Sequence, residues 1–285
     1  MPLPPEFEGP PPGTLPRARH AVAGAGSRSE RSLIEHRVMP PPANRMPDFV
    51  GIGAMKAGTT WLFHQLKSHP GIWLSDLKEV HFFDHWRAHP RPLFRYTRRF
   101  RPAPKDKLCG EITPGYSTVP PDMVHYMNLL MPRARYFLLM RDPVEQAWSI
   151  TKFWYMRVRT HHGKPVSEEG MMRFATSNFV RARCDYPTIL RNWEWTIPEE
   201  RLHLDFHDRV AQEPEALLRD VLSFLGASTD VDFSTFPLRQ QINKTHETPM
   251  PARVRALLNE MFAADLRLLR ARFGERVAHW GRGGG

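Results

Sequence analysis

The sequence predicts an α/β protein in which a P-loop-like parallel β-sheet carries helices on both faces. Short apolar segments of strand length alternate along the chain with longer segments of helical period, and this alternation is typical of βαβ units. The segment Asp48–Trp61 begins as a strand, crosses a loop bounded by glycines and enters a helix, which is the arrangement of a phosphate-binding site. The 285 residues suffice for one substantial core, so we expect one folded domain.

We expect residues 1–46 to be a disordered extension and residues 47–285 to be the folded domain. The extension contains the runs Pro10–Pro12 and Pro40–Pro42 and has no sustained apolar period, a composition typical of disordered segments. The chain begins without a basic and apolar leader, and no apolar run approaches the roughly 18 residues that a membrane span requires. These features predict a cytoplasmic protein with no membrane span, and they leave the oligomeric state open.

The first strand and helix are justified by their local sequence. The apolar run Phe49–Ile52 predicts a buried strand. The helix that follows from Thr59–Thr60 carries Leu62 and Leu66 on one face, and we expect it to stop at Ser68–Gly71, where proline and glycine prevent continuation.

Two further buried strands, Leu108–Ile112 and Arg135–Met140, each precede a helix. These helices are predicted from Pro121 to about Met131 and from Pro143 through about Arg159, because proline suits the first turn of a helix. The remaining expected elements are helices at 168–181, 186–195 and 213–224, a strand at Arg201–Phe206, and a C-terminal helical stretch from Val254 to near Gly274.

The glycine loop departs from the usual nucleotide-binding pattern. A Walker A loop reads G-x-x-x-x-G-K-[ST]. Gly53 and Gly58 keep its glycine spacing and Thr60 stands at its Ser/Thr position, but Thr59 replaces the Walker lysine and the loop's own lysine is Lys56. This displacement favours a phosphate-bearing ligand other than a magnesium-bound nucleoside triphosphate.

A second anion motif follows the strand Arg135–Met140. Arg141 leaves this strand and Ser149 lies nearly two turns into the next helix, so a guanidinium and a hydroxyl can bind a phosphate together. The alternative is a structural pair of Arg141 with Asp142 and no role for Ser149. Because ligands of parallel sheets bind outside the carboxyl ends of the strands, we expect the Lys56 loop, Thr113 and Arg141 to meet at one edge.

The net charge of 40 − 30 = +10 suits nucleic acid, anionic cofactors, acidic glycans or an anionic membrane surface. No zinc, helix-turn-helix or aromatic-interleaved RNA motif accompanies it, so nucleic-acid binding ranks last. The basic segment 87–107 is either a rim for an acidic acceptor or a solvated face. Cys109 and Cys184 form no metal-ligand pattern, and two buried thiols are simpler than a disulfide.

Taken in order, these motifs resemble PAPS-dependent sulfotransferases, and above all the heparan-sulfate-type branch with its bacterial relatives. The resemblance covers residues 48 to about 226. It is carried by Lys56–Trp61, Lys78–Asp84, Gly110–Pro114, Arg141–Ser149, Arg201–Asp208 and Phe224–Gly226. It implies the sulfotransferase fold, 3′-phosphoadenosine-5′-phosphosulfate (PAPS) as the sulfuryl donor, and no metal.

The resemblance also assigns residues to the donor. It places the 5′-phosphosulfate loop on Lys56, Ala57, Gly58, Thr59 and Thr60, with Lys56 neutralising charge on the leaving phosphate oxygen. It assigns the 3′-phosphate to Arg141 and Ser149, and more loosely to Lys244. Trp61 matches a position that stacks on adenine, and the alternative for it is a core tryptophan.

The acceptor must lose a proton as it attacks sulfur, and the resemblance assigns the base to Glu79. His81 would point the same way in an extended segment, so it is the second candidate for the base or an acceptor contact. The alternative for Glu79 is a surface salt bridge with Lys78 or an arginine.

The acceptor itself is not identified by the sequence. A hydroxyl, or less favourably an amine, of a glycan or small molecule fits the resemblance. Where related enzymes often have Glu-Lys-Thr-Pro, this chain has Glu111–Pro114 with isoleucine in place of lysine, which suggests a non-heparan acceptor. We expect its pocket at 85–107 and 155–185. The competing enzyme class is a P-loop kinase or NTPase.

Overall fold

In the computed structural model, residues 45–85, 91–240 and 248–283 are described, and five parallel strands run through their centre. The strands are β1 (Phe49–Gly53), β2 (Ile72–Leu74), β3 (Leu108–Ile112), β4 (Arg135–Met140) and β5 (Leu202–Phe206). Their order in the sheet is β2-β3-β1-β4-β5, and every neighbouring pair is parallel. All of β1 and all but the first residue of β4 are buried, so both faces of the central strands are covered. The predicted α/β class is confirmed.

Helices connect these strands and follow the last one. They are α1 (Thr59–Ser68), α2 (Phe94–Thr97), α3 (Pro121–Leu130), α4 (Pro143–Thr151), α5 (Arg157–His161), α6 (Glu168–Ala175), α7 (Asn178–Cys184), α8 (Tyr186–Glu194), α9 (Asp208–Gln212), α10 (Pro214–Leu225), α11 (Ala252–Met261) and α12 (Ala263–Phe273). Short 3-10 turns lie at Arg98–Phe100, Pro114–Thr118, Glu199–Arg201, Phe233–Thr235 and Gly274–Val277.

Two helices differ from their predicted form. The helix expected from Pro143 to Arg159 contains a π-helical segment at Lys152–Met156 between α4 and α5. The helix expected at 168–181 is broken between α6 and α7, where the Ser177 hydroxyl donates a hydrogen bond of 2.6 Å to the Phe174 carbonyl. Such a side chain competes with the helical backbone bonds. Neither feature leaves a periodic signal in the sequence.

Glycine permits close contact between the central strands. A Cβ at Gly110 in β3 would lie 2.3 Å from the ring of Phe49 in β1, so the ring occupies space that any other residue would fill. Gly110 is the partner of Phe49 in the β1–β3 ladder. The ring of Phe49 in β1 therefore packs directly against the backbone of β3.

Several expectations concern single residues or the ends of the chain. Cys109 and Cys184 are both free and buried, as predicted. Among the described residues, none of the helices combines the length and the apolar character needed to cross a bilayer. The proposed extension lies almost wholly outside the described residues, as does Lys244.

Candidate functional site

The loop between β1 and α1 turns sharply at the carboxyl end of β1. Lys56 and Gly58 have φ angles of +63° and +91°, and Gly58 precedes the first turn of α1. A Cβ at Gly58 would lie 3.2 Å from Val210 and 3.3 Å from His207, so glycine lets the loop lie close to α9. No side chain of the described residues caps α1, and its first backbone N–H groups are available to an anion.

The residues of the predicted loop differ in their exposure. Ala57 and Thr59 are buried, whereas Thr60 is half-buried. The loop is tied to the neighbouring strand because the Ala54 N–H donates a hydrogen bond of 2.8 Å to the Leu139 carbonyl in β4. The predicted cradle therefore has the geometry that a phosphate site requires: a tight turn, a helix N-terminus and a lysine within the turn.

Arg141 holds the loop from the next strand. Its guanidinium Nη1 donates to the Lys56 carbonyl at 3.0 Å, and its backbone N–H donates to the Tyr186 hydroxyl at 2.9 Å. Asp142 does not pair with it: this carboxylate accepts from the Val144 and Gly281 backbone N–H groups at 2.9 and 2.7 Å. Among the described residues, the hydrogen bonds of Arg141 are therefore directed to the loop and to Tyr186 rather than to Asp142, and phosphate binding by Arg141 stays a prediction.

Gln146 is a second anchor of the loop that the sequence did not reveal. Its amide nitrogen donates to the Met55 carbonyl at 2.8 Å, and its amide oxygen accepts from the Tyr186 hydroxyl at 2.7 Å. Gln146 is fully buried on α4. Its neighbours Ser149 and Thr151 are buried polar residues too, so no local pattern singled out Gln146.

Four cations converge around the loop. Burial lowers the pKa of Lys56, and the charges of Arg141, Lys152 and Arg157 lower it further, against the opposing charge of Glu79. Clustered cations without enough carboxylates create a strongly positive potential, which attracts anions.

Phe153 organises two of these cations. Its ring centre lies 4.8 Å from Lys56 Nζ and 5.4 Å from the Arg157 guanidinium carbon, both within the range of cation–π attraction. Phe153 and Lys152 belong to the π-helical segment, and π segments are frequent at functional sites. These residues lie in the predicted helix but were not recognised as part of the site.

Glu79 and His81 lie in the loop after β2 and meet each other. Glu79 Oε2 and His81 Nε2 are 3.3 Å apart, and Asp84 Oδ2 lies 2.6 Å from His81 Nδ1. Lys78 forms an ion pair with the other oxygen of Glu79. The result is a chain of Lys78, Glu79, His81 and Asp84 with alternating charge.

The backbone of this segment is not extended, contrary to the expectation. Glu79 and His81 have φ angles of +67° and +50°, in the left-handed region that side chains rarely adopt. Their side chains meet because of these turns rather than through the alternation of a strand.

Protonation distinguishes the two candidate bases. Hydrogen bonds to Asp84 and Glu79 raise the pKa of His81 to about 9, so the imidazole is positively charged at neutral pH. Burial acts to raise the pKa of Glu79, but the hydrogen bond from His81 and the charge of Lys78 outweigh it and lower the pKa to about 2. The charges of the two groups therefore favour Glu79 over His81 as the proton acceptor.

Possible metal ligands occur in the same loop. Ligand atoms of His81, Asp84 and His85 lie within 4.8 Å of one another. The imidazoles of His81 and His85 are stacked at 5.0 Å with 6° between their planes. The absence of a metal stays a prediction.

Trp61 and Ser149 are both 5% exposed. The Trp61 indole N–H donates to the Leu238 carbonyl at 2.9 Å, and the neighbouring Gln65 amide donates to the Pro237 carbonyl at 3.0 Å. These two hydrogen bonds attach residues 237–238 to α1, so Trp61 is placed as a core residue. Adenine stacking by Trp61 and phosphate binding by Ser149 stay predictions.

Comparison with known proteins gives relatives of one kind. No family model matches the chain. The chain is 31% identical over 122 residues to the membrane-associated sulfotransferase kil1 of Dictyostelium discoideum, a match that covers 42% of this chain and 26% of that protein. It is 25% identical over 235 residues to heparan sulfate glucosamine 3-O-sulfotransferase 3B1 of Mus musculus, covering 77% of this chain and 58% of that protein. The chain therefore spans little more than half of the mouse enzyme and about a quarter of the Dictyostelium protein.

Solved structures share the fold. A sulfotransferase from Alicyclobacillus acidocaldarius superposes with a TM-score of 0.66 at 24% identity, covering 83% of this chain and 99% of that one. The mouse sulfotransferase SULT7A1 complexed with PAP gives a TM-score of 0.51 at 14% identity, covering 78% and 86%. At these identities the likeness extends to the fold, which is the predicted sulfotransferase fold.

Proposed function

We propose that this chain is a sulfotransferase, similar to heparan-sulfate-type enzymes, that transfers a sulfuryl group from PAPS to a hydroxyl or amine of a glycan or small molecule. The observation that carries the proposal is the Lys56 loop at the N-terminus of α1, held by the guanidinium of Arg141, together with the carboxylate of Glu79, whose charge raises the pKa of Lys56. An anion cradle beside an ionised base suits a displacement at an anionic donor.

The residues of the cradle fit the donor's chemistry. PAPS supplies the sulfuryl group together with a phosphate on each side of its ribose, and both phosphates need cationic partners. The α1 N-terminus and Lys56 would hold the 5′-phosphosulfate, and Arg141 with Ser149 would hold the 3′-phosphate. Burial lowers the pKa of Lys56 most, and the nearby charges of Arg141, Lys152 and Arg157 lower it further, so a bound anion would stabilise its charged form.

Glu79 would take the acceptor's proton. The proton becomes strongly acidic only as the acceptor oxygen bonds to sulfur, so a carboxylate of low basicity can accept it late in the displacement. Lys78 and His81 orient this carboxylate and keep it ionised. Lys56 would neutralise the negative charge that grows on the leaving phosphate oxygen. Lys56 and Glu79 would thus act at opposite ends of the displacement.

Ligand-induced stabilisation tests the proposal against the kinase or NTPase alternative. Adenosine 3′,5′-bisphosphate at 100 times its Kd should stabilise the fold by about 2.7 kcal/mol, which a thermal-shift assay detects. We expect this shift without added metal and none with ATP and magnesium. The reverse pattern would favour the kinase or NTPase. Label transfer from ³⁵S-PAPS to a panel of glycans and phenols then identifies the acceptor class.

A further inference from the structure

Glu111 is a buried carboxylate at the carboxyl end of β3 that the proposed chemistry does not use. It is 1% exposed and receives three hydroxyl groups. Tyr96 and Tyr116 donate to its Oε1 at 2.7 and 3.2 Å, and Thr113 donates to its Oε2 at 2.6 Å. Three hydroxyl donors suit an ionised carboxylate, which only accepts hydrogen bonds.

Two of these hydroxyls also bind the segment that contains the candidate base. The Val80 N–H donates to Thr113 Oγ1 at 2.9 Å, and the Phe82 N–H donates to the Tyr116 hydroxyl at 3.0 Å. Each hydroxyl gives its single proton to Glu111 and accepts the backbone N–H on a lone pair. Glu111 thus fixes the direction of both backbone bonds.

The anchored residues alternate with the reactive ones. Val80 follows Glu79 and Phe82 follows His81, and the residues at 79 and 81 are those with positive φ angles. Strained backbone of this kind persists only where its surroundings determine it. The two anchored N–H groups are part of these surroundings.

We propose that Glu111 is a positioning residue whose carboxylate, acting through Thr113 and Tyr116, holds residues 79–82 in the conformation that presents Glu79. The inference rests on the proposed function for the role of Glu79. Among the described residues, Glu111 is hydrogen-bonded to Tyr96, Thr113 and Tyr116. It therefore acts on Glu79 only through residues 79–82.

Protonation of Glu111 would reverse part of this network. A protonated carboxyl donates one hydrogen bond itself, so one of the three hydroxyls can no longer donate to it and must turn away. If that hydroxyl belongs to Thr113 or Tyr116, its rotated proton competes with the backbone N–H of Val80 or Phe82. Burial raises the pKa of Glu111 to about 7, against hydrogen bonds from Thr113, Tyr96 and Tyr116 that lower it and with the charge of Asp84 raising it further. Tyr96 and Tyr116 have pKa values well above their usual range and stay protonated. The segment should therefore lose order as the pH falls through about 7.

Hydrogen exchange tests this directly and without turnover. In Glu111→Gln the amides of Val80 and Phe82 should exchange about tenfold faster, which is the effect of losing a charged hydrogen-bond acceptor. In the unaltered chain, their protection factors, corrected for intrinsic rates, should fall between pH 8 and pH 6. The matched control is Glu215→Gln, an exposed glutamate paired with Arg219, which should change neither. Equal protection of residues 79–82 in Glu111→Gln and the control would overturn the proposal.

Kinetics separates positioning from plain structural support. Glu111→Gln should lower kcat about tenfold or more while the Kd of adenosine 3′,5′-bisphosphate stays within about twofold. Its thermal stability should not fall, because a neutral side chain removes the cost of burying an ionised carboxylate. A variant with wild-type kcat and pH profile would refute the positioning role.

Variants of Thr113 and Tyr116, whose hydroxyls link Glu111 to residues 79–82, provide rescue tests. Thr113→Ser keeps a hydroxyl and should retain turnover, whereas Thr113→Val should lose it. Tyr116→Phe should free the Phe82 amide alone. If the unaltered chain transfers no label from PAPS to any acceptor, the proposed function fails, and the exchange data still decide whether Glu111 orders residues 79–82.

Discussion

At the scale of the residue, Glu79 is defined by its two cationic neighbours. Lys78 and the protonated His81 bind separate oxygens of its carboxylate, which lowers its basicity but holds its direction. For a proton that leaves only as a new bond forms, direction matters more than basicity.

Substitution of this carboxylate gives the sharpest single-residue prediction. Glu79→Gln should lower kcat by about 10²–10⁴-fold, the usual contribution of general-base catalysis. The Kd of adenosine 3′,5′-bisphosphate, measured by calorimetry, should remain near normal because Glu79 does not belong to the cradle. A matched control is Glu213→Gln, a half-exposed glutamate paired with Arg209 on α9. Full transfer of label from ³⁵S-PAPS by Glu79→Gln would remove Glu79 from the mechanism.

His81 gives a prediction about pH. Its pKa is raised to about 9, so the stability it contributes is fully present below the ordinary histidine pKa of 6.5 and is lost as the pH rises through about 9. NMR titration of the imidazole should give a midpoint near 9, and Asp84→Asn should move that midpoint toward 6.5. A wild-type midpoint near 6.5 would contradict the assigned charge of His81 and its role in orienting Glu79.

Sequence patterns reached some of these residues and not others. Lys56 and Arg141 stand at the ends of predicted strands, so their position in the sequence indicated them, whereas Glu79 was indicated only by the resemblance to sulfotransferases. Glu111 lies in the segment Gly110–Pro114 that resembles sulfotransferases, but its role depends on hydroxyls that come from separate parts of the chain. Contacts of that kind are set by packing and leave no local period.

At the scale of the element, the π-helical segment between α4 and α5 changes what the site contains. It supplies Lys152 and Phe153, and it is followed by Arg157 in α5. A regular helix was predicted here because the apolar period alone does not reveal one extra residue in a turn. The boundaries of β1, β3, β4 and β5 were predicted to within one residue, whereas β2 (Ile72–Leu74) was not predicted as a strand. The runs in β1 and β4 are nearly continuous and apolar, as is typical of buried parallel strands.

Arg157 tests whether this segment belongs to the donor site. Arg157→Gln removes one of the charges that act on Lys56, so the affinity for adenosine 3′,5′-bisphosphate should fall about two- to fivefold, as is typical of an exposed cation. The loss should be largest at low salt, because screening weakens it. Arg159→Gln is the control, because Arg159 lies in α5 with Arg157 but its guanidinium stacks on Tyr155 of the π-helical segment. Equal calorimetric affinities of both variants at low salt would exclude Arg157 from the site.

At the scale of the whole molecule, one sheet edge gathers groups from distant parts of the chain. The Lys56 loop follows β1, Glu111 and Thr113 lie at the end of β3, and Arg141 follows β4. Parallel strands place their carboxyl ends together, which is why this edge could be predicted before any contact was known. Part of the charge of the site follows from the same topology, because Lys56 and Arg141 follow two neighbouring strands of the sheet.

The close fit of the central strands makes the sheet sensitive to one methyl group. Gly110→Ala would place a Cβ 2.3 Å from the Phe49 ring, a distance that the core must relieve by shifting the ring or separating β1 from β3. Overpacking of this kind costs about 1–3 kcal/mol, so we expect a lower free energy of unfolding in urea. Because β1 leads directly into the Lys56 loop, the affinity for adenosine 3′,5′-bisphosphate should fall as well. Unchanged urea denaturation would contradict the packing of Phe49 over Gly110, whereas lower stability with normal affinity would show that the loop is held by Arg141 and Gln146 independently of the strand beneath it.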